Sequence, residues 1–188
     1  MSIYAITVPC FAQMLRALEG FLAKGEEQAR ERGFEPQVLL QSRLAPDMYD
    51  LAAQVRFACT QAREAVQRLS GQPVTALQAP AGMAEARALI EDTLAFLAAA
   101  DRELIDSSGQ RAIAIELHNG IAFDMNGEEF ARNWATPQFY FHLVTAYNIL
   151  RHNGVPLGKA DYAQHMFAYL RQPQEACLLY TSPSPRDS

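Results

Sequence analysis

The stretch PQFYFHLVTAYNILRHNG, Pro137 to Gly154, decides the fold. Phe139, Leu143, Tyr147 and Leu150 return every three or four residues and make one apolar seam along a helix. The helix is predicted to open at Thr136-Pro137, because the first turn leaves N–H groups unbonded and proline has none to lose. Asn153-Gly154 supplies a C-terminal cap, and Pro156 prevents continuation. His142 and His152 stand ten residues apart on this helix. That is roughly 15 Å along the axis, too far for two ligands each about 2 Å from one ion. His152, beside Arg151 in the last turn, is placed to complement the open carbonyls. His142 lies about 100° off the Leu143 seam, at the edge of the buried face. It reads either as a half-buried histidine bonded to a neighbouring helix or as part of a pocket wall.

The same periodicity runs outward from this helix. A first helix is expected over about Ile6 to Arg32, with Phe11, Met14, Leu15, Leu18, Phe21, Leu22 and Gly25 on one stripe, Pro9 in the first turn and Gly33 as the stop. A second opens near Pro46-Asp47 and carries Leu51, Val55, Ala58, Ala62, Val66 and Leu69 before Ser70-Gly71. A third carries Ala86, Ile90, Thr93, Leu97, Ala100 and Leu104 on one face. A short helix over Glu128 to Trp134 and a last amphipathic piece over Asp161 to Leu170, with Tyr162, Met166 and Tyr169, complete the helical set.

One segment breaks the pattern. In RAIAIELHNGIAFDMNG, Ile113, Ile115 and Leu117 alternate, and so do Ile121, Phe123 and Met125. A three-residue loop, His118-Asn119-Gly120, pairs Leu117 with Ile121, Ile115 with Phe123 and Ile113 with Met125. A two-residue loop would break that match, and only the longer loop puts all six large residues on one face, with Gly120 left-handed. The expected fold is mainly α: a four-helix bundle with one β-hairpin inserted between the third and fourth long helices.

The 188 residues are 49% apolar and 20% charged, with a net charge of −5. This is the balance of a soluble globular chain, and it argues against a nucleic-acid partner, which requires clustered Lys and Arg. The densest charge run, KGEEQARERG (Lys24 to Gly33), mixes signs and reads as a solvated helix end. No apolar run reaches the roughly 20 residues needed to span a bilayer, and no positive segment precedes the apolar N-terminus, so no membrane partner or secretory signal is expected. Cys10, Cys59 and Cys177 are sparse and lack CxxC spacing, which fits reduced thiols in a cytoplasm. The closing CLLYTSPSPRDS, Cys177 to Ser188, follows neither period and resembles the translated read-through of a sequencing adapter. It is set aside, leaving one helical domain over residues 1–176.

The chain contains no GxSxG, HExxH, GxGxxG, P-loop or Glu-x-x-His signature. Cys10 and Cys59 fall on or near core seams, where thiols pack rather than react. His118 is a turn residue. His165 has Asp161 four residues earlier, a permissible ligand spacing. Asp47 and Gln54, seven apart on the second helix, share a face and are the candidate partners of His142. Their plainer roles are an N-terminal capping acid and an edge polar residue.

The segments LAPDMYDLAAQV and FYFHLVTAYNILRHNGVPLGKADY resemble a bacterial family of unknown function allied to the DinB/YfiT-like superfamily of four-helix bundles. The resemblance covers about residues 1 to 165 and is carried by Pro46-Asp47-Met48, Phe141-His142, Leu150-Arg151-His152-Asn153-Gly154 and Gly158-Lys159. Tyr49-Asp50 departs from it, an aromatic followed by proline being expected there. The resemblance implies a DinB-like bundle that pairs through helix faces. Many members of the wider superfamily hold a divalent metal through one histidine on helix two and an His-x-x-x-His pair on the fourth long helix, and some are thiol-dependent transferases. Here only His142 matches: Ala146 stands at i+4, and helix two has no histidine. No metal and no cofactor are therefore expected, with His142 the sole fallback ligand.

Together these readings predict a cytoplasmic, metal-free bundle with a small pocket near Asp47, Gln54 and His142. It would bind a small-molecule ligand or act as a homodimer, with Phe57, off the helix-two seam, as a candidate contact. The rivals are a degenerate metal-dependent transferase or hydrolase using His142 and Asp47, and a purely structural protein.

Overall fold

The computed structural model describes residues 2–117 and 119–171. The turn role of His118 and the tail reading at Cys177 to Ser188 lie outside the described residues. Four long helices dominate: α1 (Ile3–Arg32), α3 (Leu51–Ser70), α4 (Met83–Ala98) and α7 (Thr136–His152). Between them come the short α2 (Gln37–Leu40), α5 (Arg102–Asp106), the strands β1 (Ala112–Glu116) and β2 (Ala122–Asn126), and α6 (Gly127–Glu129); α8 (Lys159–Tyr162) follows. Helix α3 packs between α4 and α7, and α1 closes the ring against the same two neighbours. Phe11, Phe21, Phe130 and Phe139 are fully buried at the centre, with the Phe11 and Phe139 rings 4.4 Å apart. The expected four-helix bundle with a hairpin between the third and fourth long helices is the observed fold. No helix among the described residues is long and apolar enough to cross a membrane.

Several helix boundaries differ from expectation, each for a local reason. Helix α1 starts at Ile3 because the Ser2 hydroxyl accepts from the Ala5 N–H at 3.0 Å. Pro9 therefore lies inside the helix rather than in its first turn. The Ala5 carbonyl, which an N–H at position 9 would have engaged, receives the Cys10 thiol at 3.5 Å. Helix α3 opens at Leu51, capped by Asp50, whose carboxylate accepts from the Ala53 N–H at 2.9 Å. Asp47 is thus not the capping acid; it lies in the turn before, where the Met48 N–H donates to the Ala45 carbonyl. The third helix ends at Ala98, and Asp101 caps a new one by accepting from the Leu104 N–H at 3.0 Å, so Leu104 leaves the buried face.

The hairpin register is the one expected, with Ile113 opposite Met125 and Ile115 opposite Phe123. The Leu117 N–H donates to the Ile121 carbonyl at 2.8 Å, and Gly120 has φ 82°. Only the base of the apolar face is covered. Ile113 and Ile115 are buried, whereas Leu117, Ile121 and Phe123 remain exposed, Phe123 resting on Trp134 with 5.4 Å between ring centroids.

The short helix after the hairpin is not separate from the fourth long one. Asn126 and Glu129 form a reciprocal capping box, and a π-helical stretch, Phe130–Ala135, joins α6 to α7 without a break. The Thr136 N–H and hydroxyl both reach the Ala131 carbonyl, five residues back, in the widened turn that precedes Pro137. Proline cannot donate to an α-helical ladder, and a π-turn absorbs the misfit. At the other end Gly154 has φ 81° and the Val155 N–H donates to the Leu150 carbonyl, which is the expected cap. The last piece is not one amphipathic helix. Tyr162 of α8 packs on the core, but the 3-10 stretch Gln164–Tyr169 leaves Met166 and Tyr169 exposed.

Candidate functional site

The Asp50 cap sets the first turn of α3, and Gln54 follows one turn on, buried against α7. Its carboxamide nitrogen donates to the Tyr49 carbonyl at 3.3 Å. A carbonyl only accepts, so this contact turns the Gln54 oxygen the other way, onto His142 Nδ1 at 2.8 Å. That oxygen can also only accept. Nδ1 therefore carries the ring proton, and the lone pair is on Nε2, which has no bonded partner among the described residues. The His142 ring stacks on Phe57 at 4.7 Å and 21°, and the Arg56 guanidinium lies 3.9 Å from the same Phe57 ring. Tyr49 meets Phe57 edge-on at 5.0 Å, and Phe141 meets His142 edge-on at 5.3 Å. Tyr49 and Phe141 are 63% and 58% exposed, so the cluster is buried at its polar root and open at its aromatic rim.

Burial pushes the His142 pKa down to about 4, and the Arg56 cation adds to the effect. The imidazole is neutral at neutral pH. Its folded pKa lies below its ordinary 6.5, so between those values the unfolded chain binds more protons. The stabilisation is whole above pH 6.5 and is lost as pH falls toward 4. Below that, Asp106, held down by the Tyr4 N–H and the Ser2 hydroxyl, and Asp161, held down by Lys24 and the Gly158 N–H, continue the loss. Urea unfolding between pH 7 and 4.5 is expected to show this slope. In His142→Gln, which keeps a donor for Gln54 but cannot titrate, the slope shrinks.

Of the three candidate residues, Gln54 and His142 are brought together, as the half-buried, helix-bonded reading of His142 requires. Asp47 is exposed and bonds to neither. A divalent metal of the superfamily type does not fit these residues. The neighbours of His142 are a carboxamide and aromatic rings, Ala146 occupies the next turn, and no group of three His, Cys, Asp or Glu side chains among the described residues could hold an ion. Asp161 does not serve His165, because it is bonded to Lys24 at 2.7 Å and to the Gly158 N–H at 2.8 Å. Burial raises the Cys59 thiol to about 12 and also raises that of Cys10, so neither is a ready nucleophile. Tyr49, Arg56 and Phe141 are not among the site residues expected from the sequence, because they lie off the apolar seams. Their signal was the clustering of aromatic residues with one Arg at off-seam positions.

The bundle with its hairpin has a DinB-like helical fold. The crystal structure of a DinB family member protein from Shewanella denitrificans matches with a TM-score of 0.76 and 36% sequence identity, over 92% of this chain and 94% of that one. The chain belongs to the DUF1993 family, a domain of unknown function whose model matches residues 3–163. No curated protein matches the chain.

Proposed function

We propose that this protein is a metal-free, cytoplasmic interaction domain that works as a homodimer, joined through the α3–α7 aromatic surface. The observation that carries this reading is the pair of exposed rings, Tyr49 and Phe141, framing the Arg56–Phe57–His142 stack. Aromatic residues and arginine are the types that concentrate at the energetic centre of protein interfaces. Val144, three residues after Phe141 on the same helix face, is also exposed and extends the patch along α7. A two-fold axis beside α7 would set each patch against its own copy, the commonest form of association. Each copy supplies a cation, ring faces and a fixed acceptor, His142 Nε2, so the patch can complement itself. The cytoplasmic setting rests on Cys10 and Cys59, which are both free.

Sedimentation velocity tests this. The unmodified chain is expected to sediment as a dimer at micromolar concentration. Phe141→Glu, which sets a carboxylate at the exposed rim, is expected to weaken association by at least about 100-fold while leaving the helical circular dichroism unchanged. A strict monomer at high concentration, or a variant that still pairs, would refute the reading.

A second reading draws on His142 itself. A small molecule bearing an N–H or O–H group would find at Nε2 an oriented acceptor beside aromatic walls. The two readings are compatible, since ligands commonly occupy the seam between subunits.

A further inference from the structure

Within the α3–α7 pairing proposed above, on which this inference rests, one acceptor is left to be matched. Gln54 holds the His142 ring from one side, so the lone pair of Nε2 has a fixed direction, and no donor among the described residues bonds it. In an isologous contact whatever meets this atom comes from the same patch of the second copy. Few residues there can donate. Phe57, Phe141 and Val144 carry no polar hydrogen on their side chains, and the exposed Asp47 carboxylate only accepts. The Gln54 carboxamide is buried, with its nitrogen turned to the Tyr49 carbonyl. Two donors remain: the guanidinium of Arg56 and the phenol of Tyr49. Each copy already has its own Arg56 at 3.9 Å from the Phe57 ring on which His142 stacks, so a second guanidinium at the same point would bring two like charges together.

Tyr49 has the placement the contact requires. Its ring lies 5.0 Å from Phe57 and the His142 ring lies 4.7 Å from Phe57, with no ring contact between Tyr49 and His142 themselves. The two residues therefore flank Phe57 at nearly equal distances. A two-fold axis beside α7 that passes at Phe57 exchanges their positions and sets the phenol of each copy against the imidazole of the other. Tyr49 is 63% exposed, and of its two oxygens only the backbone carbonyl is bonded, to Gln54. We propose that the Tyr49 hydroxyl of each copy donates a hydrogen bond to His142 Nε2 of the other. The two bonds are identical by symmetry, and together they set the register of the pair.

The test compares the unmodified chain with Tyr49→Phe, which removes the hydroxyl and keeps the ring on Phe57. Sedimentation velocity over a concentration series gives the dimer affinity, and the ¹⁵N NMR signal of His142 Nε2 is followed over the same series at neutral pH. Tyr49→Phe is expected to weaken pairing by at least about tenfold, since two bonds are lost per dimer, with unchanged helical circular dichroism. In the unmodified chain the Nε2 signal is expected to move as rising concentration drives pairing. In Tyr49→Phe it stays at its monomer position even where the variant is dimeric. A dimer whose affinity is the same in Tyr49→Phe, or whose Nε2 signal does not move on pairing, would overturn the hydroxyl bond and leave the α3–α7 pairing standing. A chain that stays monomeric at every concentration would overturn both.

Discussion

Gly127→Ala is expected to cost about 3 kcal/mol or more of stability, enough to leave much of the protein unfolded at 37 °C. Gly127 is buried at the start of α6, directly after the Asn126 cap. A methyl group built there would overlap the backbone carbonyl oxygen of Ser108 and come within 3.0 Å of its carbon. The obstacle is main chain, and it cannot swing aside as a long side chain would. Ser108 is itself buried, its hydroxyl bonded to the Ile105 carbonyl at 2.7 Å, so relief would require the whole turn Ser107–Gln110 to shift. The strain would fall where the continuous 127–152 helix is anchored beneath the hairpin. Urea unfolding of the variant is the measurement. A loss below about 1 kcal/mol would show that the turn yields cheaply.

Phe139→Ala is the second large effect, expected to cost about 3–5 kcal/mol. The ring is fully buried and packs against Phe11 of α1 and edge-on to Tyr140 at 5.4 Å. Its removal deletes a large apolar area and leaves a cavity between two of the four long helices, which the rigid surroundings fill only in part. Phe139 also lies one turn before His142, so it locks the part of α7 that presents the imidazole to Gln54. The variant should therefore lose stability by urea unfolding and also show a His142 pKa moved up from about 4 toward 6.5, as the loosened helix admits water. A full stability loss with an unmoved His142 titration would mean that the α3 side alone holds the ring.

The hairpin was legible in the sequence because six large residues fit one face in only one register, and a glycine stood where the loop needs a left-handed residue. The end of α7 was legible because Asn153-Gly154 and Pro156 all act within one turn. Capping was less so: Asp47 and Asp50 are chemically identical, and the turn at Ala45–Met48 decides which carboxylate meets the open N–H groups of α3. The joining of α6 to α7 escaped the sequence because Pro137 reads as a helix start, and nothing local announces that a π-turn will absorb it. At the site, Gln54 and His142 could be named as partners since each borders an apolar seam on helices that had to pack together. Tyr49 and Phe141 could not be ranked, because an exposed aromatic residue leaves no periodic trace.

Two copies are proposed to meet through the rim of the His142 cluster. An isotope-filtered NOE experiment on a mixture of ¹³C-labelled and unlabelled protein tests it most directly, since it reports only contacts between protomers. Cross-peaks to the rings of Tyr49, Phe57 and Phe141 are expected. Cross-peaks confined to Leu117, Ile121 and Phe123 at the exposed hairpin face, or none at all in a sample of dimeric mass, would contradict it.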